Sequence, residues 1–215
     1  MITIAFAGNR IHPHLSAIQP VITAFLNALQ KVLLQEQGSG HITMLNGFAD
    51  GADMEAGEAF HTWYSESGIH KTSVAVLPFA IDDYEQAIDD KVRYRYLLGE
   101  CDKVVALDNV YAVASQQHTE DNAVNMRNKA YQRQALYMLE RCDMLLAAAD
   151  PTATVKPGGT LDTVGIAQHL GIPVVLMPLH TNAAPIKAAL LPANERQPHV
   201  YNLLRKVAEA MISSV

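Results

Sequence analysis

The chain has 215 residues, is 49% hydrophobic, and sets 16 Lys and Arg against 22 Asp and Glu for a formal charge of −6. That length sustains one large core without demanding a second domain, and scattered, net-acidic charge excludes a general duplex-binding face, so nucleic acid is not an expected partner. Continuous apolar runs stay short of the roughly 18 residues of a membrane span, and Met1 leads directly into ITIAFAG with no basic region, so a cytoplasmic protein away from membranes is expected.

In chain order, the strand-like runs are TIAFAG (Thr3 to Gly8), HITMLNG (His41 to Gly47), SVAVLPF (Ser73 to Phe79), KVVALD (Lys103 to Asp108), MLLAAAD (Met144 to Asp150) and PVVLMP (Pro173 to Pro178). Each is continuously apolar where a half-exposed antiparallel strand would alternate, which points to strands covered on both faces. Helical patterns separate them, over Leu15 to Gln35, Ala52 to Ser65, Asp83 to Gly99, Ala123 to Arg141 and Thr160 to Leu170, with a last one over Val200 to Ile212. Strand followed by helix, repeated, predicts an α/β domain over residues 1–215: a doubly wound, mainly parallel sheet of about six or more strands with helices on both faces. VYAVASQQHTEDNAVN reads as a long polar connection suited to a flap over a site. Cys101 and Cys142 each precede Asp before an apolar run, outside any C-x-x-C pair, and read as small buried residues.

In such a sheet the ligand lies beyond the carboxyl ends of the strands, where loops turn into helices and unpaired N–H groups attract anions. Three segments have that position. In AFAGNRIHPH, Gly8 permits close approach of the backbone, Asn9 begins the turn and Arg10 offers a bidentate partner for phosphate. His12 and His14 have no third ligand at suitable spacing, so no metal is expected. In LNGFADGADMEAGEAF, Gly47, Asp50, Gly51 and Asp53 exceed what capping a helix requires, and one carboxylate is read as a sugar-hydroxyl ligand. Pro78, at the end of the third strand, is placed with these ligand-binding positions.

The third segment, KPGGT, joins Lys156, Gly158, Gly159 and Thr160: exposed backbone N–H groups, a capping hydroxyl and a local positive charge, the parts of a phosphate cradle. Neither G-x-x-x-x-G-K-[ST] nor G-x-G-x-x-G occurs, which weakens ATPase and NAD readings; no cofactor is called for. On the helix leading to the next strand, Arg127, Lys129 and Arg133 gather positive charge, whereas Tyr131, Ala135, Leu136, Met138 and Leu139 read as packing.

FAGNR, NGFADGAD, RQALYMLERCDMLLAAAD and PGGTLDTVGIAQHLGIPVV, in that order over about Met1 to Pro178, resemble the SLOG superfamily, which joins the DNA-processing Smf/DprA proteins with the LOG (lonely guy) cytokinin-activating phosphoribohydrolases. The resemblance implies a Rossmann-like domain that binds a nucleotide, nucleotide-sugar or nucleotide-derived ligand, commonly as a homo-oligomer. Gly47, Gly51 and Asp53 match the superfamily's glycine turn after the second strand, and Arg133 its helix arginine. The hydrolases carry P-G-G-x-G-T-x-x-E, whose glutamate serves catalysis; aligning Gly159-Thr160 with its G-T puts Thr163 in the acid position. That departure favours a nucleotide-binding sensor over a hydrolase. Were the chain an enzyme, Arg133 and Asp53 would be the catalytic candidates, with Asp50 or Glu85 as substitute acids, and the reaction would be N-glycosidic hydrolysis.

Overall fold

The computed structural model describes residues 1–107, 120–179, 186–191 and 198–212. Its strands are β1 (Ile2–Gly8), β2 (Gly40–Asn46), β3 (Ile69–Leu77), β4 (Lys103–Ala106), β5 (Met144–Ala149), β6 (Val174–Pro178) and β7 (Ala189–Leu190). They form one sheet in the order β4-β3-β2-β1-β5-β6-β7. All pairings are parallel except the last, where the short β7 runs antiparallel along β6. The helices are α1 (Ile18–Gln37), which follows a 3-10 turn at Leu15–Ala17, then α2 (Ala52–Thr62), α3 (Ile81–Glu85), α4 (Lys91–Gly99), α5 (Glu120–Leu139), α6 (Thr160–Leu170) and α7 (Pro198–Ile212).

Alternate residues of each central strand point to opposite faces. Ile4 and Phe6 of β1, Ile42 and Met44 of β2, and Leu146 of β5 pack with α1, α2 and α7. Ala5, Leu45, Leu145 and Ala147 pack on the other face with Met138 and Leu139 of α5 and with Val164 and Ala167 of α6. A third cluster, built on Phe48, Phe79, Tyr84, Tyr94 and Leu97, fills the space between the β3 end and α3 and α4. Helices on both faces explain why β5 is buried at all six positions and why the strands read as continuous apolar runs. The expected α/β, doubly wound, Rossmann-like architecture is therefore present.

Several boundaries differ from the sequence reading, each for a local reason. The single helix expected over Asp83 to Gly99 is two. Asp90 caps α4 by accepting the amide of Arg93 at 3.1 Å, and Asp50 holds the amides of Asp89 and Asp90 at 3.0 and 3.2 Å, so the chain turns there. β3 begins at Ile69 because His70 and Lys71 pair in register with His41 and Ile42 of β2, a polar start that an apolar-run criterion passes over. Most of the expected polar flap lies outside the described residues, and its last part, from Glu120, is helix.

By length and composition Leu15–Gln37 is apolar enough to cross a membrane, although half of its window is buried inside the fold. Its stripe of Ile18, Ile22, Phe25, Leu26, Leu29, Val32 and Leu33 repeats at helical spacing and packs on the sheet. Both cysteines are unpaired; Cys142 is buried and Cys101 partly so. Burial pushes the Cys142 thiol up to about 12 and raises Cys101 as well, which suppresses thiolate chemistry at both.

Candidate functional site

Strand order locates the site. The chain leaves β1 toward β2, β3 and β4, then returns to lay β5 on the other side of β1, and the loops after these two strands part in opposite directions. In the gap between them is a cavity of about 490 Å³. The loop after β1 forms one wall, the segment before α6 a second, and α5 with α3 the rest.

Short contacts hold the walls. Asn9 donates its amide to Ala148 at 3.0 Å and its carbonyl accepts from Ala52 at 3.0 Å, which ties β1, β5 and α2 together. Gly51 has φ +88, and a Cβ there would stand 2.1 Å from the Arg10 carbonyl oxygen, so only glycine permits this crossing of the first two loops. Gly8 is fixed by packing: a Cβ on it would lie 2.3 Å from that of Ala52. Asn46, fully buried, receives the Phe48 amide at 2.7 Å and donates to the Asp53 carbonyl at 2.8 Å, which sets the start of α2.

Asp53 is 8% exposed, lines the cavity, and has one carboxylate oxygen, Oδ1, buried without a hydrogen-bond partner. Burial raises its carboxyl to about 7, opposed by the charge of Arg10 and by the backbone amides of Ala49 and Gly8. Tyr84 is fully buried, also lines the cavity, and its hydroxyl too has no partner. Burial lifts that hydroxyl well above its ordinary value, so it stays protonated. Arg10 donates to the Tyr131 hydroxyl at 2.8 Å and lies 5.4 Å from the centre of that ring. Burial works against its charge, but the neighbouring hydroxyls of Tyr131 and Tyr84 and the carboxyls of Asp53 and Asp50 outweigh it, and the guanidinium stays charged.

The glycine segment differs from an open phosphate cradle. Gly158 has φ +74, and a Cβ there would meet the Asn128 carbonyl oxygen at 2.8 Å, so the turn needs glycine for conformation and for space. Its amide is taken, however. Asp162, in the first turn of α6, accepts it at 2.8 Å and accepts from Gln132 at 3.0 Å with the same oxygen. The Gly159 amide donates to the Lys156 carbonyl at 2.9 Å. An anion at this helix end would therefore meet the amides of Thr160 and Leu161, which a helix leaves without internal acceptors and which belong to residues lining the cavity. Thr163 is 4% exposed and lines the cavity, with its hydroxyl donated to the Gly159 carbonyl at 3.1 Å.

Of the residues singled out in the sequence, Gly8, Asn9, Arg10, Asp53, Lys156, Gly158, Gly159 and Thr160 meet around this cavity. Gly47, Asp50, Gly51, Pro78 and Arg133 are not in its lining. Gly47 packs beside Gln134, where a Cβ would be 2.6 Å from the amide nitrogen, and Asp50 holds the turn before α4. Glu85 pairs with Arg95. His12 accepts the backbone amide of His14 through Nδ1 at 3.3 Å, and no cluster of metal-ligating side chains occurs among the described residues.

Arg133 is exposed for a geometric reason. The α5 face on the cavity is Asn128, Tyr131, Ala135 and Met138, spaced three, four and three residues apart, and Arg133 follows Tyr131 by two, about 200° around the helix. Tyr131 and Gln134 reach the cavity instead, and Leu136, expected to pack, is 40% exposed. The helical spacing of Asn128, Tyr131, Ala135 and Met138 was the signal that could have identified this face. Tyr84 had no comparable signal, since a five-residue helix carries too little periodicity to show which side is inward.

No protein-family model matches the chain, and no curated protein matches it.

Proposed function

We propose that the protein binds a nucleotide or nucleotide-derived ligand in this cavity and acts as a sensor or ligand-responsive module. One observation carries the reading: at the crossover between β1 and β5, a cavity of small-molecule size has the first turn of α6 on one wall and unsatisfied, buried hydrogen-bonding groups on another. The first turn offers two amides to a phosphate, with Lys156 alongside, and Arg10 adds a fixed positive charge. The ordered resemblance to the SLOG superfamily supports the same ligand class and makes a homo-oligomer part of the proposal.

Thr163 is the reason for preferring binding over turnover. It places a hydroxyl, donated to the Gly159 carbonyl, where the resembling hydrolases carry their glutamate, and one oxygen of the neighbouring Asp162 carboxylate is held by Gly158 and Gln132. A hydrolase of N-glycosidic bonds is the second reading, and Asp53 favours it: a cavity carboxyl raised to about 7 matches a general acid or base at neutral pH.

Mass spectrometry of small molecules released from the purified protein tests the first reading, with a nucleotide or nucleotide-derived compound as the expected result. Incubation with nucleoside monophosphates then separates the two readings. No release of free base is expected. Robust release that Asp53→Asn abolishes would make the protein a hydrolase.

A further inference from the structure

The cavity's inner wall specifies more than its phosphate end. Asp53 Oδ1 and the Tyr84 hydroxyl are both buried, both in the lining, and both without partners. The charge of Arg10 acts on the Asp53 carboxyl. The protein itself leaves this acceptor and this donor–acceptor unmatched, and burial of unmatched polar groups is unfavourable unless a ligand completes them. A phosphate dianion could accept from Tyr84 but would be repelled by the ionised Asp53 carboxylate, so it does not suit both. An apolar group cannot either. A hydroxyl donates one hydrogen bond and accepts others, and two neighbouring hydroxyls present the number and kind of groups that Asp53 and Tyr84 require.

We propose that Asp53 and Tyr84 bind the vicinal hydroxyls of a ribose, and so select ribonucleotides over deoxyribonucleotides. The assignment rests on the reading of the cavity as a nucleotide site. Covalent order agrees with it, since the sugar follows the phosphate directly and the first turn of α6 and the Asp53 wall belong to one cavity. Asp53 accepts from one hydroxyl. Tyr84 donates to, or accepts from, the other.

Calorimetric titration of the full chain with AMP, GMP, CMP and UMP, and with the 2′-deoxy and 3′-deoxy counterparts of those that bind, tests this. In wild type, loss of either hydroxyl should weaken binding about tenfold, the size of a hydrogen bond to a buried group. In Tyr84→Phe and in Asp53→Ala the ribonucleotide should bind about tenfold more weakly, and the penalty for removing the hydroxyl facing the altered residue should nearly vanish. Tyr84→Phe should also leave the melting temperature unchanged or higher, because the hydroxyl removed has no partner in the protein. A purely structural tyrosine would behave in the opposite way. Equal binding of ribonucleotides and deoxyribonucleotides by wild type would overturn the ribose assignment and leave the nucleotide site standing. Failure of every monophosphate to bind would overturn both.

Discussion

The two ends of the cavity are built on opposite terms. At the α6 end the hydrogen bonds are largely completed by the protein: Asp162 takes the Gly158 amide, Lys156 the Gly159 amide, and Gly159 the Thr163 hydroxyl. At the inner end, Asp53 and Tyr84 are buried with polar atoms left open. The segment that looks most like a binding loop in the sequence is thus the better satisfied of the two, and part of what makes it conspicuous is self-support. The buried unpartnered atoms of His61 and Tyr94 lie away from the cavity, so it is open valence in the cavity wall, rather than open valence or glycine content alone, that supports the proposed ligand contact.

The largest expected effect breaks the self-supporting end. Gly158→Ala forces a side chain into a left-handed conformation and against the Asn128 carbonyl and the Cβ of Tyr131, so it should cost roughly 2–4 kcal/mol in denaturant unfolding. Gly159→Ala, at φ −88 and with its nearest contact at 3.1 Å, should cost under about 1 kcal/mol. Equal losses would mean that Gly159 is as constrained as its neighbour.

The inner end should respond to pH. An acid whose folded-state value is raised from 3.8 to about 7 binds more protons folded than unfolded, so its contribution to stability is lost as pH rises through that window. Arg10 faces the same carboxyl and stays charged throughout. Asp53→Asn should flatten this part of the stability profile and, at pH 8, raise stability by about 1–2 kcal/mol. A wild-type profile that climbs between pH 4 and pH 7 and is unchanged by Asp53→Asn would show that the carboxyl is not desolvated.

Asp162 gives a smaller effect of informative sign. Asparagine at this position retains an acceptor for the Gly158 amide and removes a negative charge from the helix start, so Asp162→Asn should tighten binding of inorganic phosphate or a nucleoside monophosphate by about 0.5–1 kcal/mol. Weaker binding would place the anion away from α6. Arg133→Ala is expected to do least, under about 0.5 kcal/mol in either stability or affinity, since the side chain lies on the exposed face of α5. A loss of ten times or more in affinity would return it to the site.

Much of the fold was legible because burial writes itself into strand composition. MLLAAA is apolar at every position and TIAFAG at every position after Thr3 since helices cover both faces, and their alternation with helical periods is enough to specify a doubly wound sheet. β7, at two residues, carries no such pattern, and the break between α3 and α4 depends on Asp50, some forty residues earlier in the chain. Turn chemistry likewise marked Gly8, Asn9, Arg10 and Gly158 to Thr160, which meet at one cavity, because loop conformation and the N-terminus of a helix are local properties.

Which of those residues face one another was a tertiary matter. Asp50 and Asp53 are equivalent as letters in ADGAD, but one turns toward the amides before α4 and the other into the cavity, according to how α2 and α3 pack. Tyr84 acquires its meaning only when α3 folds over the end of β3 and leaves its hydroxyl without a partner. Local sequence determined the strands, the turns and the helix starts, whereas the unsatisfied pair exists only after distant segments have excluded water from between them.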